Sequence, residues 1–185
     1  MAEQITLQRT HPLEAWTDAF AALPDSFRIT VEPFVATADV RVGDAGLLDL
    51  PAVPNTWAPA GAGRAVWLGP DEWLLTSPTE TPAELETRLR GAVVPHGGAA
   101  ADVSAQRIAV RLQGPRVRDV LAKGCALDLH PRVFGRGSSA QTTVGQAGVV
   151  LLALGDGDVV VLVRSSFAGY LAEWLLDAAL EYTTT

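Results

Sequence analysis

Cys125 is the single cysteine of the chain, and a thiol is among the most reactive groups a sequence can carry. It follows Lys123-Gly124 at a predicted helix C-terminus, with Asp128 and His130 close behind. A cysteine–histidine nucleophile is one reading of this cluster. The negative end of the helix dipole repels a thiolate at that position, so the plainer reading is a small buried thiol after a helix stop. The run Cys125-x-x-Asp128-x-His130 also offers three metal donors. No fourth donor is signalled, and His11, His96 and His130 are too scattered to pair as ligands.

Gly135-Arg136-Gly137-Ser138-Ser139-Ala140 matches the form G-x-G-x-x-[GA]. The residues that follow, Gln141-Thr142-Thr143-Val144, favour a strand, whereas a dinucleotide fingerprint must open a helix. The motif therefore reads as a turn. Asp71-Glu72 and Asp156-x-Asp158 fall in predicted turns as solvated acids, and Glu173 and Asp177 mark the wet face of a last helix. Among five tryptophans, Trp67, Trp73 and Trp174 are the candidates for a subunit interface, because Trp is enriched among interface anchors. Core burial is the plainer role for each. No catalytic, cofactor-binding or metal-ligating set emerges.

The elements that position these groups are legible in part. Leu13, Trp16 and Phe20 sit at helical spacing, stopped by Pro24. Phe27, Ile29 and Val31 alternate with polar residues as a half-buried strand, and 39–42 predicts another. The Pro- and Gly-rich segment 50–63 reads as a loop between two halves. Ala65-Val66-Trp67-Leu68 and Trp73-Leu74-Leu75-Thr76, separated by Gly69-Pro70-Asp71-Glu72, predict a hairpin. Thr81-Pro82-Ala83-Glu84 is a capping box with Pro in the first helical position, and its helix is expected to end near Gly91.

In the second half, Ile108, Val110 and Leu112 predict a strand, and Val117, Val120 and Leu121 one face of a helix. Gly124 is expected to stop that helix in a left-handed conformation. Strands over 140–144, 149–154 and 159–163 follow, the last two joined by Gly155-Asp156-Gly157. A final helix aligns Phe167, Leu171, Trp174, Leu175 and Ala178. Strand, helix, three strands, helix is an α+β order resembling a ferredoxin-like unit with altered connections.

At 185 residues the chain suits one domain, or two halves sharing a core, with no need of metal or disulfide for stability. Hydrophobic residues make up 48% and charged residues 19%, which excludes disorder over most of the length. The net charge is −7, and Lys123 is the only lysine, a poor match for nucleic acid or an anionic membrane. The longest apolar stretch, 147–154, is far short of the roughly 20 residues a spanning helix needs. Residues 1–7 lack the basic start and apolar run of an export signal, so a cytoplasmic location is expected.

A resemblance adds to this reading. Trp67-Leu68-Gly69-Pro70-Asp71-Glu72-Trp73-Leu74-Leu75 resembles a hairpin of the gamma subunit family of heterotetrameric sarcosine oxidase. Asp102-Val103-Ser104 with Arg107, Leu112-Gln113-Gly114-Pro115, Gln141-Thr142, Arg164-Ser165-Ser166-Phe167 and Glu173-Trp174-Leu175 continue the match in order. The run from Leu121-Ala122-Lys123-Gly124-Cys125 through Ala126-Leu127-Asp128-Leu129-His130-Pro131 is the most specific block. The family pattern has Pro in the place of Ala126 and often His at Ala105. The better-matched part is 64–180 of a single domain over 1–185; the N-terminal half, about 1–63, carries little of it.

The resemblance implies a reduced folate-binding fold of the glycine-cleavage T-protein kind and a non-catalytic assembly subunit. It implies partners named alpha, beta and delta. The beta chain carries FAD and FMN, the alpha chain binds NAD and tetrahydrofolate, and the delta chain binds zinc. The complex oxidatively demethylates sarcosine to glycine with peroxide release and one-carbon transfer to tetrahydrofolate. This chain is credited with no cofactor. Two alternatives are a subunit of a related N-methylglutamate dehydrogenase complex and a stand-alone folate-binding one-carbon protein. The latter needs a buried acid for the pterin, for which Asp102 is the nominee.

Overall fold

The computed structural model describes residues 10–183; residues 1–7, read above for an export signal, lie outside them. A 3₁₀ turn, Glu14–Trp16, leads into the short helix α1 (Thr17–Ala21), then strands β1 (Arg28–Val31) and β2 (Ala36–Arg41). Next come β3 (Trp57–Ala60), β4 (Gly63–Gly69), β5 (Glu72–Ser77), helix α2 (Pro82–Val93) and β6 (Ala99–Asp102). The rest runs β7 (Arg107–Gln113), α3 (Val117–Ala122), β8 (Ser139–Val144), β9 (Ala147–Gly155), β10 (Asp158–Arg164) and α4 (Ala168–Ala179).

The strands form two antiparallel five-stranded sheets, ordered β1-β7-β10-β9-β8 and β3-β4-β5-β2-β6. Alternation along each strand sends its side chains to two different cores. In the first sheet Val110, Leu112, Leu151, Val161 and Val163 face α3 and α4, while Val150, Leu152, Val160 and Leu162 face the other sheet. In the second, Val66, Leu68 and Leu74 meet that inner face, while Ala38, Val40, Trp73 and Leu75 turn outward to α2. The result is four layers, helix on sheet on sheet on helix. An Arg64–Glu32 pair, with two hydrogen bonds of 2.8 and 3.0 Å, ties the sheets together beyond the end of β1.

Three expectations change. The segment 50–63 is not all loop, since β3 lies within it. Pro59 is tolerated there because β3 is an edge strand, paired only with β4. Its Trp57 donates its indole N–H to the Ala153 carbonyl of the other sheet at 3.0 Å. The strand expected over 39–42 starts earlier, at Ala36. The helix from Pro82 runs past Gly91 to Val93, because Leu85, Leu89 and Val93 form one buried stripe that outweighs the glycine's weak helix propensity.

The capping box of α2 is formed as the spacing requires. The Thr81 hydroxyl accepts from the Glu84 N–H, and the Glu84 carboxylate accepts from the Thr81 N–H. One residue earlier, Glu80 takes two hydrogen bonds from Arg88, at 2.7 and 2.9 Å. These hold the Glu80 carboxyl down to about 2, from an ordinary 4.5. A depressed carboxyl stabilises the fold above its unfolded pKa, and that contribution disappears as pH falls from about 4.5 through about 2. Arg88 is half exposed, so solvent screening limits the effect to about 0.2–1 kcal/mol. Glu80→Gln is expected to lower stability at pH 6 by that amount and to match the parent near pH 2, as read by urea unfolding across the pH series.

Candidate functional site

The structure sorts the chemistry-bearing residues by where their polar atoms go. Cys125 leaves 7% of its surface exposed and lies in the core that the first sheet shares with its helices, with its sulfur 3.8 Å from the Thr142 hydroxyl. Its former companions point elsewhere. The Asp128 carboxylate accepts the His130 backbone N–H at 2.9 Å, and His130, exposed, accepts the Arg132 N–H through Nδ1 at 3.2 Å. Both close local turns instead of reaching the thiol. No group of three His, Cys, Asp or Glu residues capable of holding a metal occurs among the described residues.

Asp102 is exposed rather than buried. Its carboxylate accepts the backbone N–H and the hydroxyl of Ser104 at 2.9 and 2.6 Å. Buried Ser104 in turn accepts the Thr37 N–H at 2.8 Å. Asp102-Val103-Ser104 is thus a splice between β6 and β2, and no pterin acid. Two surface depressions, about 270 Å³ beside Trp67 and Pro54 and about 180 Å³ beside Arg107 and Arg164, fall below the roughly 300–1,000 Å³ of a ligand pocket. Neither depression is lined by Asp102 or by any other carboxylate.

The acids expected in solvated turns are partly engaged. Asp158 receives two hydrogen bonds from Arg111 on the neighbouring strand, at 2.8 and 2.5 Å. Glu72 opens β5 and is bound by Arg41 at 2.5 Å. Burial first, and then repulsion from Asp39, raises its carboxyl above the ordinary value. Glu173 and Asp177 are exposed on α4 as the spacing implied. The Gly135-to-Ala140 motif is a turn entering β8.

The tryptophans divide. Trp73 is 1% exposed, its indole N–H bound to the Pro51 carbonyl at 2.9 Å, so it offers a partner no surface. Trp67, its cross-strand neighbour, and Trp174 on α4 are half-buried. Trp174 explains a motif glycine. A β-carbon on Gly124 would lie 2.4 Å from the Trp174 ring and 2.8 Å from the Gly145 nitrogen. Gly124 is not among the glycines of positive φ, so the expected left-handed stop is replaced by a different requirement, room for an indole. Gly145 is the left-handed one (φ +58°), and it too lies against Trp174 and Tyr170.

Sequence reasoning missed Arg118. It lies between Val117 and Val120 on α3, where the pattern marks only a polar position. Its guanidinium donates to four carbonyls: Asp156 at 2.7 Å, Phe134 at 3.0 Å, Gly155 at 3.3 Å and Leu129. Burial pushes its pKa below the ordinary arginine value, with Asp156 opposing. Nearby, Lys123 donates to the Ala178 carbonyl, pairs with Glu181 and lies 4.9 Å from the Tyr182 ring centroid, closing the end of α4 onto α3. The most specific block of the sequence is therefore a packing junction. No local signal in the sequence separates a loop-clamping Arg118 from a solvated one.

An α+β chain of two stacked sheets flanked by helices shares its fold with a T protein of the glycine cleavage system. The glycine cleavage system aminomethyltransferase T from Bartonella henselae superposes with a TM-score of 0.64 at 13% identity, over 86% of this chain and 48% of that one. The chain belongs to the sarcosine oxidase, gamma subunit family, whose profile matches residues 30–181. It is 38% identical over 149 residues to sarcosine oxidase subunit gamma of Corynebacterium sp. (strain U-96), 80% of this chain and 72% of that protein. The subunit gamma of Arthrobacter sp is 34% identical over 197 residues, 100% of this chain and 96% of the relative. Among solved structures, the heterotetrameric sarcosine oxidase from Corynebacterium sp. U-96 in complex with pyrrole 2-carboxylate contains a chain with TM-score 0.86 and 31% identity, covering 96% and 97% of the two chains.

Proposed function

We propose that this chain is an assembly and positioning subunit of a heterotetrameric sarcosine oxidase, located in the cytoplasm, whose partner chains carry out the oxidation. The observation that carries the reading is the family match over residues 30–181, with a TM-score of 0.86 over 96% of this chain to a chain of such a complex. The side chains agree in kind: Cys125, Asp128, His130 and Asp102 all serve internal contacts. In this reading the alpha, beta and delta chains hold NAD, tetrahydrofolate, FAD, FMN and zinc, and supply hydride and one-carbon chemistry. This chain supplies rigid surface. Half-buried Trp67 and Trp174, and Phe167 and Tyr170 in edge-to-face contact 6.3 Å apart and about 40% exposed, are the contact candidates.

Affinity capture of the tagged chain from its native cell is expected to recover larger, yellow, flavin-bearing chains in fixed ratio. Purified alone, the chain is expected to be colourless, inert toward sarcosine and free of saturable tetrahydrofolate binding. Recovery only as a free monomer, or turnover by the isolated chain, overturns the proposal.

A further inference from the structure

The inner face of the first sheet changes character at one end. Its middle rows are apolar, with Val160, Leu162, Val150 and Leu152 buried against the second sheet. The end row begins with Arg107 on β7 directly opposite Arg164 on β10. One step beyond the Val163–Val149 pair stands Gly148 of β9, in the place where a side chain would complete the row. A β-carbon there would meet nothing within 4 Å. The Gln141 side chain, anchored to the Leu68 carbonyl at 2.7 Å, closes the far side. Together these residues frame the depression of about 180 Å³.

Two like charges directly across a strand pair repel, and such a pair is maintained at a cost unless an anion sits between them. The second-sheet charges that act on Arg107 are Asp39 and Glu72. Arg41 holds Glu72 at 2.5 Å and Asp71 at 3.7 Å. Burial first, and then repulsion by Arg164, pushes the Arg107 pKa below the ordinary arginine value, with Asp39 and Glu72 opposing through space. Among the described residues no carboxylate lies within 4.0 Å of the Arg107 or Arg164 guanidinium. Guanidinium forks match the planar or tetrahedral oxygens of carboxylate and phosphate.

We propose that Arg107, Arg164, Gln141 and the gap at Gly148 form a binding site for a small free oxyanion, a carboxylate or phosphate group. The site is independent of the oxidase reading. The test is thermal unfolding of the full chain titrated with sodium acetate and with sodium phosphate, ionic strength held constant with chloride. A saturable rise in Tm with at least one of them is expected. Arg164→Gln, which deletes one fork, is expected to weaken the apparent affinity by about tenfold or more. Gly148→Val keeps both charges, suits a strand and fills the gap, and is expected to do the same. An equal rise in the parent and both variants, or no saturable rise, overturns the site. Weaker capture of partner chains by both variants, with no anion effect on the parent, overturns it in favour of a protein contact.

Discussion

Alanine at position 114 is expected to cost the fold about 3 kcal/mol, seen as a fall in Tm of roughly 10 °C for a chain of this size. Gly114 has φ +123°, a conformation that L side chains rarely adopt. Its added β-carbon would lie 2.4 Å from the Ser26 carbonyl oxygen and 2.8 Å from that of Asp25. Its own N–H donates to Gly157 at 2.9 Å, and the Arg116 N–H donates to Ser26 at 3.0 Å. The entry to β1, the turn from β7 to α3 and the β9–β10 turn therefore meet backbone to backbone at this residue. Backbone cannot rotate aside as a side chain does, so strain and overpacking add. Gly43→Ala is the control: open space surrounds its β-carbon and no positive φ is needed, so a change within about 0.5 kcal/mol is expected. Equal melting temperatures for both variants would refute the close approach at Gly114.

Arg118→Met is expected to cost a similar amount, about 3 kcal/mol, by deletion of donors instead of crowding. Methionine retains most of the apolar stem and none of the N–H groups. The carbonyls of Leu129, Phe134, Gly155 and Asp156 then lose one charged partner at the same time. The loss is local first. Limited proteolysis of the variant is expected to cut within 126–136 before the rest of the chain, because that loop joins α3 to β8 and is tied at two carbonyls by this one side chain. Arg118→Lys, with a single ammonium in place of the planar fork, is expected to recover a minor part of the stability. Urea midpoints of the three forms rank arginine, lysine, methionine if the clamp is as described. Proteolysis spread evenly along the chain would point to global unfolding and against a local anchor.

The legible parts of the fold share one property: their signals lie within a dozen residues. Ile108, Val110 and Leu112 alternate, and β7 forms with Val110 and Leu112 fully buried. Thr81 and Glu84 are three apart, and the capping box closes. The hairpin around Gly69-Pro70 pairs Trp67 with Trp73 as its two apolar runs imply. Strand β6 escaped because Ala99-Ala100-Ala101 has no strand signature, and it forms by pairing with β2, some sixty residues earlier. Strand β3 escaped because prolines normally mark loops, and the edge position that excuses Pro59 is a property of the sheet.

The same boundary runs through the site. By itself the sequence determined the polar and apolar faces, the helix cap, the turn character of Gly135-Arg136-Gly137 and the family pattern along the second half. The tertiary structure decided that Gly124 yields to an indole fifty residues away, that Asp102 splices two strands in place of holding a pterin, and that Arg118 is a clamp. It also set Arg107 against Arg164 beside the empty position of Gly148. Periodicity and capping are written in neighbours because backbone geometry repeats over three or four residues. Close approach, hydrogen-bond partners and charge pairing depend on which distant segments the sheets bring together, and no spacing along the chain encodes that distance.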